Sequence, residues 1–347
     1  MNKETKAPVF AWEDAAPSLK EAFAGKLKIG AAVNTRHLSG DTPECRTIKK
    51  QFSVLTLENE SKPEPVQPQE GRFVFGPLDR FAAFGEENGI RLRGHTLVWH
   101  SQCPAWFFEG ADRDLLLKRM RDHIGTVVSR YRGKIAVWDV VNEALKDSGG
   151  MRESLWYKII GEDYIAEAFR AAREADPGAR LILNDYNLES SDAKVDTMAA
   201  VAEKLLRDGV PLDGIGFQMH LGPDTDLGKL RENVRKITAL RSLRPDFQIE
   251  VTELDLSAYR WGDLAEDIEW TEERERRFRE TYAALFRFYL DLAEEGVLDS
   301  VVFWGLSDGV SWLNGFPRRH RNYPLLIGRD LRLKPAFFEV AGIGTGD

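Results

Sequence analysis

Short runs of β-branched and apolar residues recur along the whole chain, each ending in polar or aromatic side chains and each followed by a longer stretch of helical period. Eight runs stand out: Leu27 to Val33, Phe52 to Asn59, Ile90 to Trp99, Ala136 to Glu143, Arg180 to Asn187, Gly214 to Leu221, Gln248 to Asp255 and Ser300 to Ser307. The clearest helices are expected over Asp112 to Tyr131, Tyr157 to Ala175 and Thr271 to Glu295, the last opened by Thr271 with Glu273 and Glu275 close behind. Eight strands alternating with helices predict a parallel sheet closed as a (β/α)8 TIM barrel, because an open doubly wound sheet rarely uses eight equal units in one domain. Within Ser61 to Pro68, Lys62-Pro63-Glu64-Pro65 reads as a stiff loop, too short for an interdomain linker. Residues 1–347 are therefore expected to form a single α/β domain, with 1–26 as an N-terminal segment packing on the barrel.

Composition agrees with one large core. At 347 residues, 43% hydrophobic and 10% aromatic, the chain needs no disulfide or metal to fold. Lys and Arg number 48 against 56 Asp and Glu, a net charge of −8 that offers no electrostatic footprint for nucleic acid or an anionic membrane. Cys45 and Cys103 belong to no Cys-x-x-Cys pair, which removes support for a zinc ribbon or a disulfide framework and fits a reducing compartment. The first residues carry charges of both signs and no apolar signal core, and nothing approaches the roughly 18 uncharged apolar residues of a spanning helix. A cytoplasmic location is the expectation.

Reactive groups in such a barrel gather at the C-terminal ends of the strands. Here those ends carry Glu58-Asn59, His95 to His100 with Trp99, Asn142-Glu143, Asn184 to Asn187 with Tyr186, Gln218 and His220, Glu253 and Asp255, and Trp304 with Asp308. Core packing does not explain polar and aromatic side chains collected around one mouth. Sugars do: their hydroxyls need Asn, Gln, His and Glu, and their apolar ring faces stack on Trp and Tyr. Cleaving a glycosidic bond also takes an acid for the leaving oxygen and a second carboxylate at the anomeric carbon, for which Glu143 and Glu253 are placed.

Several blocks carry a resemblance. Thr56-Leu57-Glu58-Asn59-Glu60-Ser61-Lys62, Gly94 to Gln102, Trp138-Asp139-Val140-Val141-Asn142-Glu143, Gln218-Met219-His220, Val251-Thr252-Glu253-Leu254-Asp255, and Trp304-Gly305 with Asp308 and Trp312 stand in order along the chain. Asn322-Tyr323-Pro324-Leu325-Leu326 and Lys334-Pro335-Ala336-Phe337 follow. Over about Leu27 to Phe338 the chain resembles glycoside hydrolase family ten, the endo-β-1,4-xylanases. The resemblance implies a retaining mechanism without metal or cofactor, with Glu253 as nucleophile and Glu143 as general acid and then base, their carboxyl groups about 5 to 5.5 Å apart. It further implies that His220 bonds Glu253, that Asp255 orients His220, and that Asn142 meets the sugar's 2-hydroxyl. Glu58, Asn59, Lys62, His95, Trp99 and Gln102 would line the non-reducing side, with Tyr186 also on substrate and Gln218, Trp304 and Trp312 over the cleft near the cut. Xylan or xylo-oligosaccharide is then the partner, with short imported oligosaccharides favoured.

The chain departs from the family pattern at Ser53, Cys103 and Ile327-Gly328, none of them at the two glutamates. Arg318-Arg319-His320-Arg321 is either a solvated loop or a contact for an acidic decoration on xylan. Taken alone, His37 and His123 read as structural histidines, Trp138 and Trp156 as packing residues, and Asp139 and Asp147 as structural or solvated acids. A metal-dependent barrel hydrolase is disfavoured because strand one lacks a His-x-His pair. A sugar-binding barrel without activity would have lost one glutamate, and both are present.

Overall fold

The computed structural model describes residues 9–260, 267–317 and 319–346. Its strands are β1 (Lys28–Val33), β2 (Val54–Leu57), β3 (Arg91–Val98), β4 (Ile135–Asn142), β5 (Arg180–Asp185), β6 (Gly214–Phe217), β7 (His220–Leu221), β8 (Gln248–Leu256) and β9 (Leu298–Phe303). All pair in parallel. Neighbours run in sequence from β1 to β6, β9 pairs with both β1 and β8, and the β6–β8 pairing closes the ring. The fold is a (β/α)8 TIM barrel whose sixth stave is interrupted. Met219 takes a left-handed φ of 58°, and β7 then resumes as a two-residue strand pairing His220 with Asp255 and Leu221 with Leu256.

The strand interiors are almost wholly buried, as expected for a sheet covered by helices outside and by packed side chains within. Helix Arg113–Arg130 buries Leu116, Leu117, Met120, His123, Ile124, Val127 and Val128, a stripe at helical spacing, and Asp112 caps its start by accepting from Leu115 N at 2.9 Å. Helix Glu272–Glu294 begins the same way, Thr271 Oγ1 accepting from Arg274 N at 3.3 Å with Glu272, Glu273 and Glu275 in the first turn.

Three expectations need correction. Tyr157 to Ala175 is not one helix. It is Leu155–Ile160 and Tyr164–Ala175, separated at Gly161, whose φ of 99° no right-handed helix contains. The stiff loop at Ser61 to Pro68 holds a short helical turn, Pro63–Val66, since proline suits the first turn of a helix. The polar strand ends Glu58, Asn59, Glu143, Asn187 and Ser307 lie just beyond their strands, and at Glu143 and Asn187 the backbone has turned left-handed, with φ of 56° at each.

Residues 9–26 lie against the barrel. Ala11 N donates to Leu331 O and Leu333 N to Val9 O, both at 2.9 Å, while Leu19 and Phe23 enter the common core. In the 318–321 run, Arg318 lies outside the described residues. Arg319 and Arg321 are exposed, and His320 is buried with its ring stacked on Tyr259 at 4.0 Å.

Candidate active site

The C-terminal strand ends surround a cavity of about 480 Å³. Glu58, Asn59, Lys62, His95, Trp99, Gln102, Asn142, Glu143, Tyr186, Gln218, His220, Glu253, Trp304 and Trp312 all line it, and Asp255 stands directly behind His220. Asp147, Asn187 and Phe316 complete the wall. Around the ring Glu58 and Asn59 follow β2 and Tyr186 and Asn187 follow β5, Glu143 follows β4 on the arc between them, and Glu253 rises from β8 on the other arc.

Glu253 sits at the bottom, 4% exposed. Its Oε1 accepts from Asn184 Nδ2 at 2.8 Å and lies 3.9 Å from His95 Nδ1, and its Oε2 lies 3.3 Å from His220 Nε2. Burial disfavours its charge, yet His95, His220 and Asn184 outweigh burial and hold the carboxyl down at about 2. His220 is sandwiched: its Nδ1 lies 3.1 Å from Asp255 Oδ1. Burial would neutralise the ring, but Asp255 and Glu253 together push it up to about 10, so it stays an imidazolium. Asp255 is itself fixed by Trp312 Nε1, which donates to its Oδ2 at 2.8 Å.

Glu143 hangs higher on the wall. Trp99 Nε1 donates to its Oε2 at 2.9 Å, and Asn142 Nδ2 and Gln218 Nε2 each donate to its Oε1 at 3.3 Å. Arg152 Nε donates to its main-chain carbonyl at 2.9 Å and Arg152 Nη2 to Tyr186 Oη at 2.8 Å, tying the turn that carries Glu143 to the cleft wall. Asn184 Nδ2 also donates to Asn142 Oδ1 at 2.9 Å, so one amide links the surroundings of both glutamates.

On the opposite side Lys62 Nζ donates to Gln102 Oε1 at 2.7 Å and Asn59 Oδ1 at 3.0 Å and lies 4.9 Å from the Trp99 ring centre. It does not close on Glu58, which instead accepts from Asn34 Nδ2 at 3.1 Å. Burial raises the Glu58 carboxyl and lowers the Lys62 ammonium. These groups are pre-set hydrogen-bond donors and acceptors facing open space.

Strand-end reading gave no place in the site to three residues that build it, Asn184, Arg93 and Glu250, and read a fourth, Asp139, as a structural or solvated acid, of which the structural alternative holds. Asn184 was in view as a strand end but was given no role. Arg93, Asp139 and Glu250 lie lower in the barrel: Arg93 is fully buried in a bidentate pair with Asp139, which lies 3.0 Å from His95 Nδ1, and its Nη1 is 4.0 Å from Glu250. A buried arginine within a β-run was the available signal. The structural readings elsewhere fit the packing. Trp138 is fully buried, Trp156 is 2% exposed with its Nε1 on Trp99 O, and His123 Nδ1 meets Gln67 Oε1 at 2.8 Å, burial pushing that imidazole down to about 4. Cys45 and Cys103 are both free thiols. Among the described residues no helix is long and apolar enough to cross a membrane, and no three His, Cys, Asp or Glu are grouped to hold a metal ion.

Fold and site together define a (β/α)8 barrel with two carboxylates in an aromatic-walled cleft. The chain belongs to glycosyl hydrolase family 10, whose model matches residues 18–343. Over 98% of its length it is 40% identical to Endo-1,4-beta-xylanase C of Paenibacillus barcinonensis, of which it spans 33%. A solved structure of a GH10 protein from the same organism matches with a TM-score of 0.91 at 40% identity, covering 95% of this chain and 98% of that one. An intracellular xylanase of Thermoanaerobacterium saccharolyticum, solved as a mutant in complex with xylotriose, matches with a TM-score of 0.85 at 38% identity, covering 94% and 99%.

Proposed function

We propose that the protein is a retaining endo-1,4-β-xylanase that cleaves internal β-1,4-xylosidic bonds by double displacement. The observation that carries this reading is the asymmetry of the two glutamates in one cleft: Glu253 is held ionised at about 2 by His95, His220 and Asn184, whereas Glu143 is placed on the wall by Trp99, Asn142 and Gln218. Glu253 attacks the anomeric carbon as Glu143 protonates the departing oxygen; Glu143 then takes a proton from water, which displaces Glu253 from the sugar. Asn142, with its amide already fixed by Asn184, is the donor for the sugar's 2-hydroxyl. Glu58, Asn59, Lys62, His95, Trp99 and Gln102 hold the sugar on the non-reducing side, Tyr186 holds it beyond the cut, and Gln218, Trp304 and Trp312 close over the cleavage point. The xylotriose complex of the related xylanase and the identity over nearly the whole chain support the substrate class.

We propose further that residues 1–347 act as one catalytic domain and that its setting is the cytoplasm, with soluble xylo-oligosaccharides as substrate. The free thiols of Cys45 and Cys103 suit a reducing compartment, and the similar T. saccharolyticum enzyme is described as intracellular. Cell fractionation of the native host decides this point.

The mechanism is tested with Glu253→Ala and Glu143→Ala on an aryl β-xylobioside with a good leaving group. Added azide should restore turnover in Glu253→Ala and yield the α-glycosyl azide, and in Glu143→Ala it should yield the β-azide. The opposite pairing of products would exchange the two roles.

A further inference from the structure

Lysine is seldom buried without a partner, and Lys194 is wholly buried. It stands in the first turn of helix Asp192–Arg207, where Ser191 Oγ accepts from Lys194 N at 3.3 Å and where the positive end of the helix dipole disfavours a cation. The helix therefore does not account for this charge, and its partners do. Nζ lies 2.9 Å from Asp185 Oδ1 and 3.2 Å from Asp147 Oδ1, and it sits over the Tyr186 ring, 3.4 Å from the ring centre.

These partners come from two segments of the cleft rim. Asp185 is fully buried, and its Oδ2 accepts from Leu145 N at 3.1 Å, which ties the end of β5 to the loop after β4. Asp147 belongs to that loop and lines the cleft, with its side chain 64% exposed. Partial burial would raise the Asp147 carboxyl, but the Tyr186 hydroxyl and the Lys194 ammonium hold it below its ordinary value. The loop also rests on the helix that carries Lys194, Gly150 N donating to Thr197 Oγ1 at 3.1 Å. Tyr186 lines the cleft and Lys194 does not, so the ammonium bears on the ring from outside the cavity. An aromatic side chain serves as a sugar platform only while its plane is held, and a desolvated cation over one face holds it.

We propose that Lys194 is a positioning residue that, clamped between Asp185 and Asp147, sets the Tyr186 ring for a sugar acceptor and thereby decides how often a sugar rather than water takes the glycosyl group from Glu253. The proposal rests on the retaining-xylanase reading above. With either acceptor a hydroxyl oxygen attacks the anomeric carbon, the bond to Glu253 breaks and restores the carboxylate, and the hydroxyl proton passes to Glu143. Water needs no platform for this step. A sugar arriving on the Tyr186 side does, and Lys194, which lies outside the cavity, acts on it only through the ring.

The test follows an aryl β-xylobioside with a good leaving group in the presence of xylobiose. Initial rates give xylotetraose formed by transfer, and aryl alcohol released minus xylotetraose gives hydrolysis. Lys194→Met should lower the ratio of transfer to hydrolysis by about three- to tenfold, the weight of a desolvated cation–π contact. Lys194→Met/Asp185→Asn, which removes both buried charges together, should lower it as much. In a Tyr186→Ala background Lys194→Met should lower the ratio no further. Asp147→Asn leaves the buried pair whole and should lower the ratio by about twofold. An unchanged ratio in the Lys194 variants, including by an equal loss of both products, overturns the proposal, as does a further fall in the Tyr186→Ala background. Should the Lys194 variants fail to fold, an unchanged ratio in Asp147→Asn overturns it. Failure of the xylanase reading looks different, because the wild type would then release no aryl alcohol from the xylobioside.

Discussion

At the scale of single residues, the decisive feature is that a buried glutamate is kept charged by a half-buried histidine that is itself kept charged. Glu253 lies below its ordinary 4.5 at about 2, and His220 lies above its ordinary 6.5 at about 10. A depressed acid contributes stability that is present above 4.5 and lost as pH falls toward 2. A raised base contributes stability that is present below 6.5 and lost as pH rises toward 10. The cluster therefore stabilises the fold most between these ordinary values, and its electrostatic support weakens on both sides. Activity follows the acid side, because the nucleophile must be ionised. Replacing His220 with Gln keeps a donor near Glu253 but removes the charge, so the acid limb of kcat/KM should move up by about one pH unit or more. A profile from about pH 3 to pH 8 on an activated aryl substrate measures it. An unmoved limb would assign the low Glu253 value to His95 and Asn184 alone.

At the scale of elements, the site is only as precise as the contact between β3 and β4, the first carrying His95 with Trp99 just past its end and the second carrying Asn142 with Glu143 just past its end. Gly94 on β3 pairs with Trp138 on β4, and a Cβ there would stand 2.2 Å from the indole ring, which is fully buried and has no room to retreat. Gly94→Ala should destabilise by about 1–3 kcal/mol, a fall of roughly 2–10 °C in Tm for a chain of this size, measured by calorimetry. It should also lower kcat, by displacing Glu143 from the Trp99 indole; an unchanged Tm would mean that the two strands part without cost. Much of this layer was legible in the sequence. Each of the eight β-runs overlaps an observed strand, because alternating apolar runs ended by polar clusters are the direct imprint of a barrel with one open mouth. Glu143 and Glu253 were legible for the same reason, as carboxylates at strand ends. Less visible were the break at Gly161, where a single glycine interrupts a convincing helical period, and the turn at Met219, an ordinary apolar residue in a left-handed conformation. Asn184 and Arg93 were missed as supports because their importance lies in what they touch across strands, and periodicity carries no information about cross-strand partners.

At the scale of the whole molecule, the question is how far along a polymer the protein holds its substrate. The cleft crosses the mouth from Glu58 and Asn59 at the end of β2 to Tyr186 and Asn187 at the end of β5, with Glu143 on the arc between them and Glu253 reaching in from β8 on the other arc. Its strongest polar contacts lie on the Glu58 side, where Lys62, Asn59 and Gln102 are already linked and need little reorganisation on binding. Beyond Asn187 the wall changes from amides and indoles to the exposed ion pair of Asp224 and Arg260, which offers a neutral xylose little to stack upon. For unsubstituted linear substrates, kcat/KM should therefore rise steeply up to about three or four xylose units, each new sugar adding binding energy to the transition state, and then level off. Measurements on xylobiose through xylohexaose, with insoluble xylan alongside, give the curve directly. A plateau fits an enzyme that trims short soluble chains. A rate that kept climbing through xylohexaose and long polymer would mean that the hollow beside His220, lined by Asn187, Asp224 and Arg260, receives the xylose backbone itself, moving the preferred substrate from oligosaccharide to xylan and leaving the double-displacement chemistry at Glu143 and Glu253 as it is.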